Sequence, residues 1–246
     1  MYNYKTVFYT LGTLQIILGV FMLIPVIIQL IYNQLDSGFV SASIITIIFG
    51  VLFFLSNLDH DKNLDLPQAF ILTALSWLSV AIFGSLPFIF SELNLSFTDA
   101  FFESMSGITT TGSTILTDLD NTPKGILLWR AILQWLGGIG IILMAITLMP
   151  IMNIGGMQLF KISSNDNAEK ILPKSKEVSL RLIAIYSALT LVCGIFYKLF
   201  GMSYFDSLTH SMTTIATGGF SNYNESIGHF NSALIEINAI IFIILG

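Results

Sequence analysis

Long apolar runs, each ended by a short polar interval, organise this chain. The first covers residues 9–32. It can cross a bilayer, whose hydrocarbon core of about 30 Å takes roughly 20 apolar helical residues. Pro25 lies inside it and predicts a kink, which membrane helices tolerate. A polar turn over 33–38 leads to a second run at 39–56, and a charged loop over 57–67 leads to a third at 68–90. A fourth occupies 125–149, a fifth 177–200, and a sixth begins near Phe230. Two intervals have a different texture. Each predicts a short helix, over 98–108 and 205–215, ending in a turn of Thr and Gly.

Those two intervals are copies. Residues 99–113 and 206–220 align without gaps at an offset of 107 (206 against 99). Asp99/Asp206, Ser104/Ser211, Met105/Met212, Ile108/Ile215, Thr110/Thr217 and Gly112/Gly219 are identical. The same offset carries the third run onto the fifth. It carries the fourth onto 232–256, past Gly246, so the second unit reads as incomplete. The predicted fold is an all-α membrane protein, with two leading transmembrane helices followed by helix–pore–helix repeats. The expected division is 1–66 for the leading pair and 67–152 for the first repeat, then 153–176 for a cytoplasmic connector and 177–246 for the truncated second repeat.

Composition agrees with a membrane protein. The chain is 54% hydrophobic and 10% charged, where soluble domains carry roughly 25% charged residues. Its mean hydropathy is +0.80. A net charge of −5 gives no reason to expect a nucleic-acid partner. Cys193 is the single cysteine and reads as a small core residue. The first run is too long for a signal-peptide core and lacks a small-residue cleavage site. With the N-terminus inside, Lys5, Lys62, Lys161, Lys170, Lys174, Lys176 and Arg181 fall on the cytoplasmic side, as the positive-inside rule asks. Both short helices then enter from outside, beside Asp36, Glu92, Asp99, Asp118, Asp120, Asp206 and Glu225. Such an acidic mouth concentrates cations. The basic stretch from Lys161 to Lys176 is placed to meet anionic lipid or a cytosolic partner.

The repeated turn has the chemistry of a cation filter. A dehydrated ion regains its lost hydration energy from rings of backbone carbonyls. Aiming successive carbonyls at one axis needs unusual dihedrals, which Gly adopts without a Cβ penalty. Thr110, Thr111, Gly112 and Ser113 fit that demand in the first copy, and Thr217, Gly218, Gly219 and Phe220 in the second. The helices before them point their partly negative C-termini at the same place. Arg130 and Gln134 lie four apart on one face of the fourth run. Arg130 there is either a snorkelling or packing residue or a pore residue. Glu103 and His210 occupy equivalent positions, suited to interhelical hydrogen bonds or to tuning the field at the filter. The glycines of Gly137-Gly-Ile-Gly140 lie inside a spanning run with no strand before them. They therefore read as close helix packing and not as a dinucleotide fingerprint. Trp77, Trp129 and Trp135 read as interfacial or packing residues. Nothing in the sequence suggests catalysis or a cofactor.

Four segments carry a family resemblance: Ser106-Gly-Ile-Thr-Thr-Thr-Gly-Ser-Thr114, Gln134-Trp-Leu-Gly-Gly-Ile-Gly140, Gly155-Gly-Met-Gln-Leu-Phe160 and Thr217-Gly-Gly-Phe-Ser221. The chain resembles the Trk/Ktr/HKT superfamily of potassium transporters, most of all its TrkH branch. The leading helix pair resembles one found in TrkH and absent from KtrB. The resemblance implies four helix–pore–helix units around one potassium pathway, a homodimer in membrane lipid, and a cytosolic nucleotide-binding regulatory (TrkA-like) subunit. It implies that Thr110 to Ser113 and Thr217 to Phe220 form two filter quarters, with potassium as substrate and no cofactor. The expectation is therefore the N-terminal half of a plasma-membrane potassium uptake protein, passive and gated, with its N-terminus in the cytoplasm. The third and fourth units, with the gating loop, are missing from the sequence, so the isolated chain is not expected to support uptake. Two other readings are a half-length pore subunit that dimerises into a complete channel, and a non-conducting assembly subunit.

Overall fold

The computed structural model describes residues 4–59, 66–152 and 171–246. Most of the expected connector lies outside the described residues, as do Lys62, Lys161, Lys170 and the motif at 155–160. Five helical stretches are long and apolar enough to cross a membrane, and a shorter apolar helix follows them.

Helix α1, Lys5–Phe21, and helix α2, Leu23–Ile31, form one apolar column that breaks at Met22. Pro25 causes the break: it has no N–H for the Phe21 carbonyl four residues back, and its ring crowds that oxygen. Helix α3, Gly38–Ser56, returns antiparallel to α1. Helix α4, Leu66–Gly84, and helix α5, Leu86–Phe90, repeat the proline device, with Pro87 opposite the Phe83 carbonyl. The short helix α6, Phe97–Ile108, precedes the long helix α7, Lys124–Met152. Helix α8, Ile171–Leu199, and the short helix α9, Tyr204–Ile215, follow. A 3-10 turn, Ser226–Phe230, leads into helix α10, Ala233–Leu245. The sixth apolar run forms the 13 residues of this last helix.

Contacts between ends fix the alternation of the spans. Lys5 pairs with Asp59 at 3.7 Å at one end of the bundle. At the other end the Tyr32 ring meets Phe205 edge-on at 5.8 Å. There the Lys124 N–H also donates to Gln34 Oε1 at 3.0 Å. Both short helices start from this second end, where Lys124 lies over the Phe205 ring and Asn224 bonds Asp120.

Helix α7 is the axis of the fold. Of its span 56% is buried, against 17–33% for the other spans. A helix apolar all round belongs inside a bundle, and α7 packs against α2, α4, α6, α8 and α9. One core gathers Leu18, Met22, Phe39, Phe88, Ile108 and Trp129. It joins the leading helices to the first repeat. The Trp129 indole donates to the Gly84 carbonyl at 2.9 Å, so this tryptophan is a packing residue and not an interfacial one. A second core holds Tyr186, Cys193, Tyr197, Ile215 and Phe242.

Candidate functional site

The two short helices are built alike from end to end. Each has 12 residues, and their bounds stand 107 apart (204 against 97). Ser96 and Ser203 are their N-caps, accepting the N–H of Asp99 and Asp206 at 3.2 and 3.0 Å. The same hydroxyls donate to the Asp99 and Asp206 carboxylates at 2.7 and 2.6 Å. A serine cap contributes about 1 kcal/mol, and the acid in the first turn suits the positive end of the helix dipole.

The C-termini match as closely. The Thr110 N–H donates to the Gly107 carbonyl at 2.9 Å and the Thr111 N–H to Ser106 at 3.0 Å. In the second copy Thr217 donates to Thr214 and Gly218 to Thr213, both at 3.0 Å. This is the Schellman pattern, which needs a left-handed residue just past the helix and usually uses Gly there. Here that residue is Thr110 at φ 56° and Thr217 at φ 52°. A β-branched residue in this region is an outlier, at a cost of roughly 1–2 kcal/mol each. Such strain collects at functional sites. Sequence reasoning assigned the unusual dihedrals to Gly alone. The structure gives the first to Thr and the next but one to Gly, with Gly112 at φ 78° and Gly219 at φ 80°.

Thr111 and Gly218, between those residues, do not have positive φ. Both loops thus carry positive φ at the same two repeat positions, 110 and 112 in one and 217 and 219 in the other. Among the described residues, the carbonyls of Thr110, Thr111, Gly112, Thr217, Gly218 and Gly219 accept no hydrogen bond. The Ser113 carbonyl is braced by the Ser106 hydroxyl at 2.6 Å. Thr111, Ser113, Thr217 and Gly219 are exposed, whereas Gly218 and Phe220 are buried.

The fold brings the two loops together. A Cβ on Gly112 would overlap the Gly218 carbonyl oxygen, and one on Gly218 would overlap the Gln134 amide. Helix α7 closes on both short helices through adjacent glycines. A Cβ on Gly137 would overlap the Ile108 carbonyl, and one on Gly138 would come 3.2 Å from the Ala216 Cα. The expectation of close packing at 137–140 therefore gains its partner, the C-termini of α6 and α9.

Arg130 is neither snorkelling nor at the surface. Its Nε donates to Glu103 Oε1 at 2.7 Å, with side-chain exposures of 1% and 0%. Its Nη1 donates to the Ser221 carbonyl at 2.8 Å, and its guanidinium stacks on the Phe220 ring at 4.1 Å. Gln134, one turn on, accepts the Phe220 N–H at 3.1 Å. His210, the repeat counterpart of Glu103, instead meets Phe230 edge-on at 5.5 Å. The i,i+4 spacing was the sequence signal for Arg130 and Gln134; their partners lie 27 to 91 residues away and left none. In the first turn of α9, burial works against ionisation of Asp206. Hydrogen bonds from Ser203, Asn222 and Tyr223, with the nearby Lys124 charge, outweigh it and hold the carboxyl below its ordinary pKa.

Comparison with known proteins gives this arrangement a family. The family described as "TrkH: Cation transport protein" matches residues 36–246. The chain is similar to the Trk system potassium uptake protein TrkH of Vibrio parahaemolyticus, 37% identical over 248 residues, which cover 99% of this chain and 51% of that protein. It is similar to TrkH of Escherichia coli, 38% identical over 249 residues with the same coverages. It is also similar to the Trk system potassium uptake protein TrkI of Halomonas elongata, 40% identical over 221 residues, covering 89% and 45%. The crystal structure of the potassium transporter TrkH from Vibrio parahaemolyticus superposes with a TM-score of 0.89 at 35% identity, over 99% of this chain and 50% of that one. The chain thus spans about half the length of the curated relatives it matches. A match over residues 36–246 at this likeness settles the family: the chain belongs to the TrkH family of cation transport proteins.

Proposed function

We propose that this chain supplies two filter segments of a potassium uptake protein, Thr110 to Ser113 and Thr217 to Phe220. The carrying observation is the pair of loops with the same backbone twist, meeting where Gly112 touches Gly218. Their unpaired carbonyls suit a cation that has shed its water. The helix C-termini behind them add a favourable field. The named relatives are potassium uptake proteins, which makes potassium the substrate of choice. Permeation is passive and gated, with no cofactor and no catalysis. Each repeat contributes one filter segment, so closure of the pathway calls on further segments, a homodimer partner or both. A regulatory subunit on the cytoplasmic side completes this reading.

The test is ion flux through the gene product that carries this chain, reconstituted in vesicles. Potassium flux well above sodium flux is the expected result; equal fluxes, or none, would overturn the proposal. A non-conducting assembly role predicts the second of those failures.

Orientation is part of the same proposal. The end of the bundle that carries Ser37 and Asp120 is read as the outside, because along the sequence Lys5, Lys62, Lys161, Lys170, Lys174, Lys176 and Arg181 fall on the opposite side, against Lys124 and Lys198 on this one. Cysteines introduced at Ser37 and Asp120 should react with an impermeant thiol reagent added to intact cells. Labelling only after the cytoplasmic face is opened would reverse the topology.

A further inference from the structure

Both filter loops are tied to a single turn of α7, and the tie is made once. Glu103, on α6, accepts Arg130 at 2.7 Å, the Thr114 hydroxyl at 2.8 and 3.0 Å, and the Ile115 N–H at 3.0 Å. It therefore holds the chain just after the first loop. Arg130 reaches past Glu103 to the Ser221 carbonyl, just after the second loop, and covers the ring of Phe220, the last residue of that loop. Gln134 accepts the Phe220 N–H and fills the space behind Gly218. The second repeat has no such group on its closing helix. Ile237 and Ile241 stand in α10 where Arg130 and Gln134 stand in α7, and both are exposed.

We infer that Arg130, Gln134 and Glu103 form a clamp that fixes the first filter loop against the second and thereby sets cation selectivity. None of the three touches the ion in this arrangement; they are positioning residues. The inference rests on the filter reading of the two loops. Its physical basis is that discrimination between ions of one charge depends on the size of the site and on the number and field of the carbonyls that face the ion, and a clamp on both loops bears on each. A ligand set loosened by an ångström loses that power. A fork that bonds a carboxylate and a carbonyl while stacking on a ring calls for Arg, not Lys.

The experiment compares potassium and sodium flux through the reconstituted gene product for two variants. The first is Glu103→Gln combined with Arg130→Met, which removes both buried charges together. The second is Gln134→Leu, which leaves the ion pair intact. In each, insertion and thermal stability are checked first. The expected result is continued transport with potassium-over-sodium preference reduced about tenfold, the change that roughly 1.4 kcal/mol of differential binding produces. Arg130→Lys should restore only part of the preference. Unchanged preference in either inserted variant would overturn the clamp; if the charge-free pair fails to insert, Gln134→Leu decides alone. A Gly219→Ala control, which strains the second loop itself, separates the two levels. A selectivity change there without one in the clamp variants defeats the clamp only. No change in any of them defeats the filter reading and the clamp with it.

Discussion

Replacing Gly112 by alanine should abolish potassium transport, whereas the same change at Gly219 should leave a conducting protein with weakened selectivity. The two glycines are repeat partners with nearly the same φ, 78° and 80°. Each alanine therefore meets a left-handed backbone at a cost of roughly 1–2 kcal/mol. Their surroundings differ. The new Cβ at 112 would overlap the Gly218 carbonyl oxygen, and Gly218 is itself pressed against Gln134, so it has nowhere to retreat. A Cβ at 219 would meet no heavy atom of the described residues within 4 Å beyond its own chain neighbours. Vesicle flux with potassium and sodium, at matched insertion, measures both variants. Equal loss at the two sites would mean that the strain alone decides, and that the contact between the loops does not matter.

Removing Arg130 alone should cost far more stability than removing it together with Glu103. Arg130→Met leaves a carboxylate with no exposed surface and its cationic partner gone. Breaking a buried ion pair from one side typically costs about 3–5 kcal/mol, whereas replacing both members by uncharged residues is often neutral. The Thr114 hydroxyl and Ile115 N–H still reach Glu103 in the single variant. Neither brings a full charge. Thermal unfolding in detergent should therefore show a large drop for Arg130→Met and recovery when Glu103→Gln is added. Similar midpoints for the single and double variants would show that the pair is solvated in the membrane-inserted protein.

Local regularity made most of the architecture legible. Residues that cross a bilayer must satisfy their backbone within the segment, so apolar length alone places a helix. The runs at 39–56 and 68–90 accordingly became Gly38–Ser56 and Leu66–Gly84 with its short extension Leu86–Phe90. The repeat offset placed both short helices to within a residue of Phe97–Ile108 and Tyr204–Ile215. Pro25 foretold a break whose position, Met22, follows from the carbonyl it leaves unpaired.

Aligned repeats cannot show how the repeats differ once they pack. Gly112 and Gly219 are repeat partners with nearly the same φ, yet among the described residues only Gly112 has a carbonyl against the place of its Cβ. Thr110 and Thr217 look like ordinary filter hydroxyls, but the helix ends force them into the left-handed turn. Arg130 at a span end reads equally well as a snorkelling side chain. Only the arrival of Glu103 from α6 and of Phe220 and Ser221 from the second loop makes it a buried link between the loops. Composition and spacing along the chain determined that this protein crosses a membrane and which segments repeat. Which loops touch, and which charge is buried between them, was decided by tertiary packing, because those contacts join residues 27 to 91 positions apart and leave no periodic mark on the sequence.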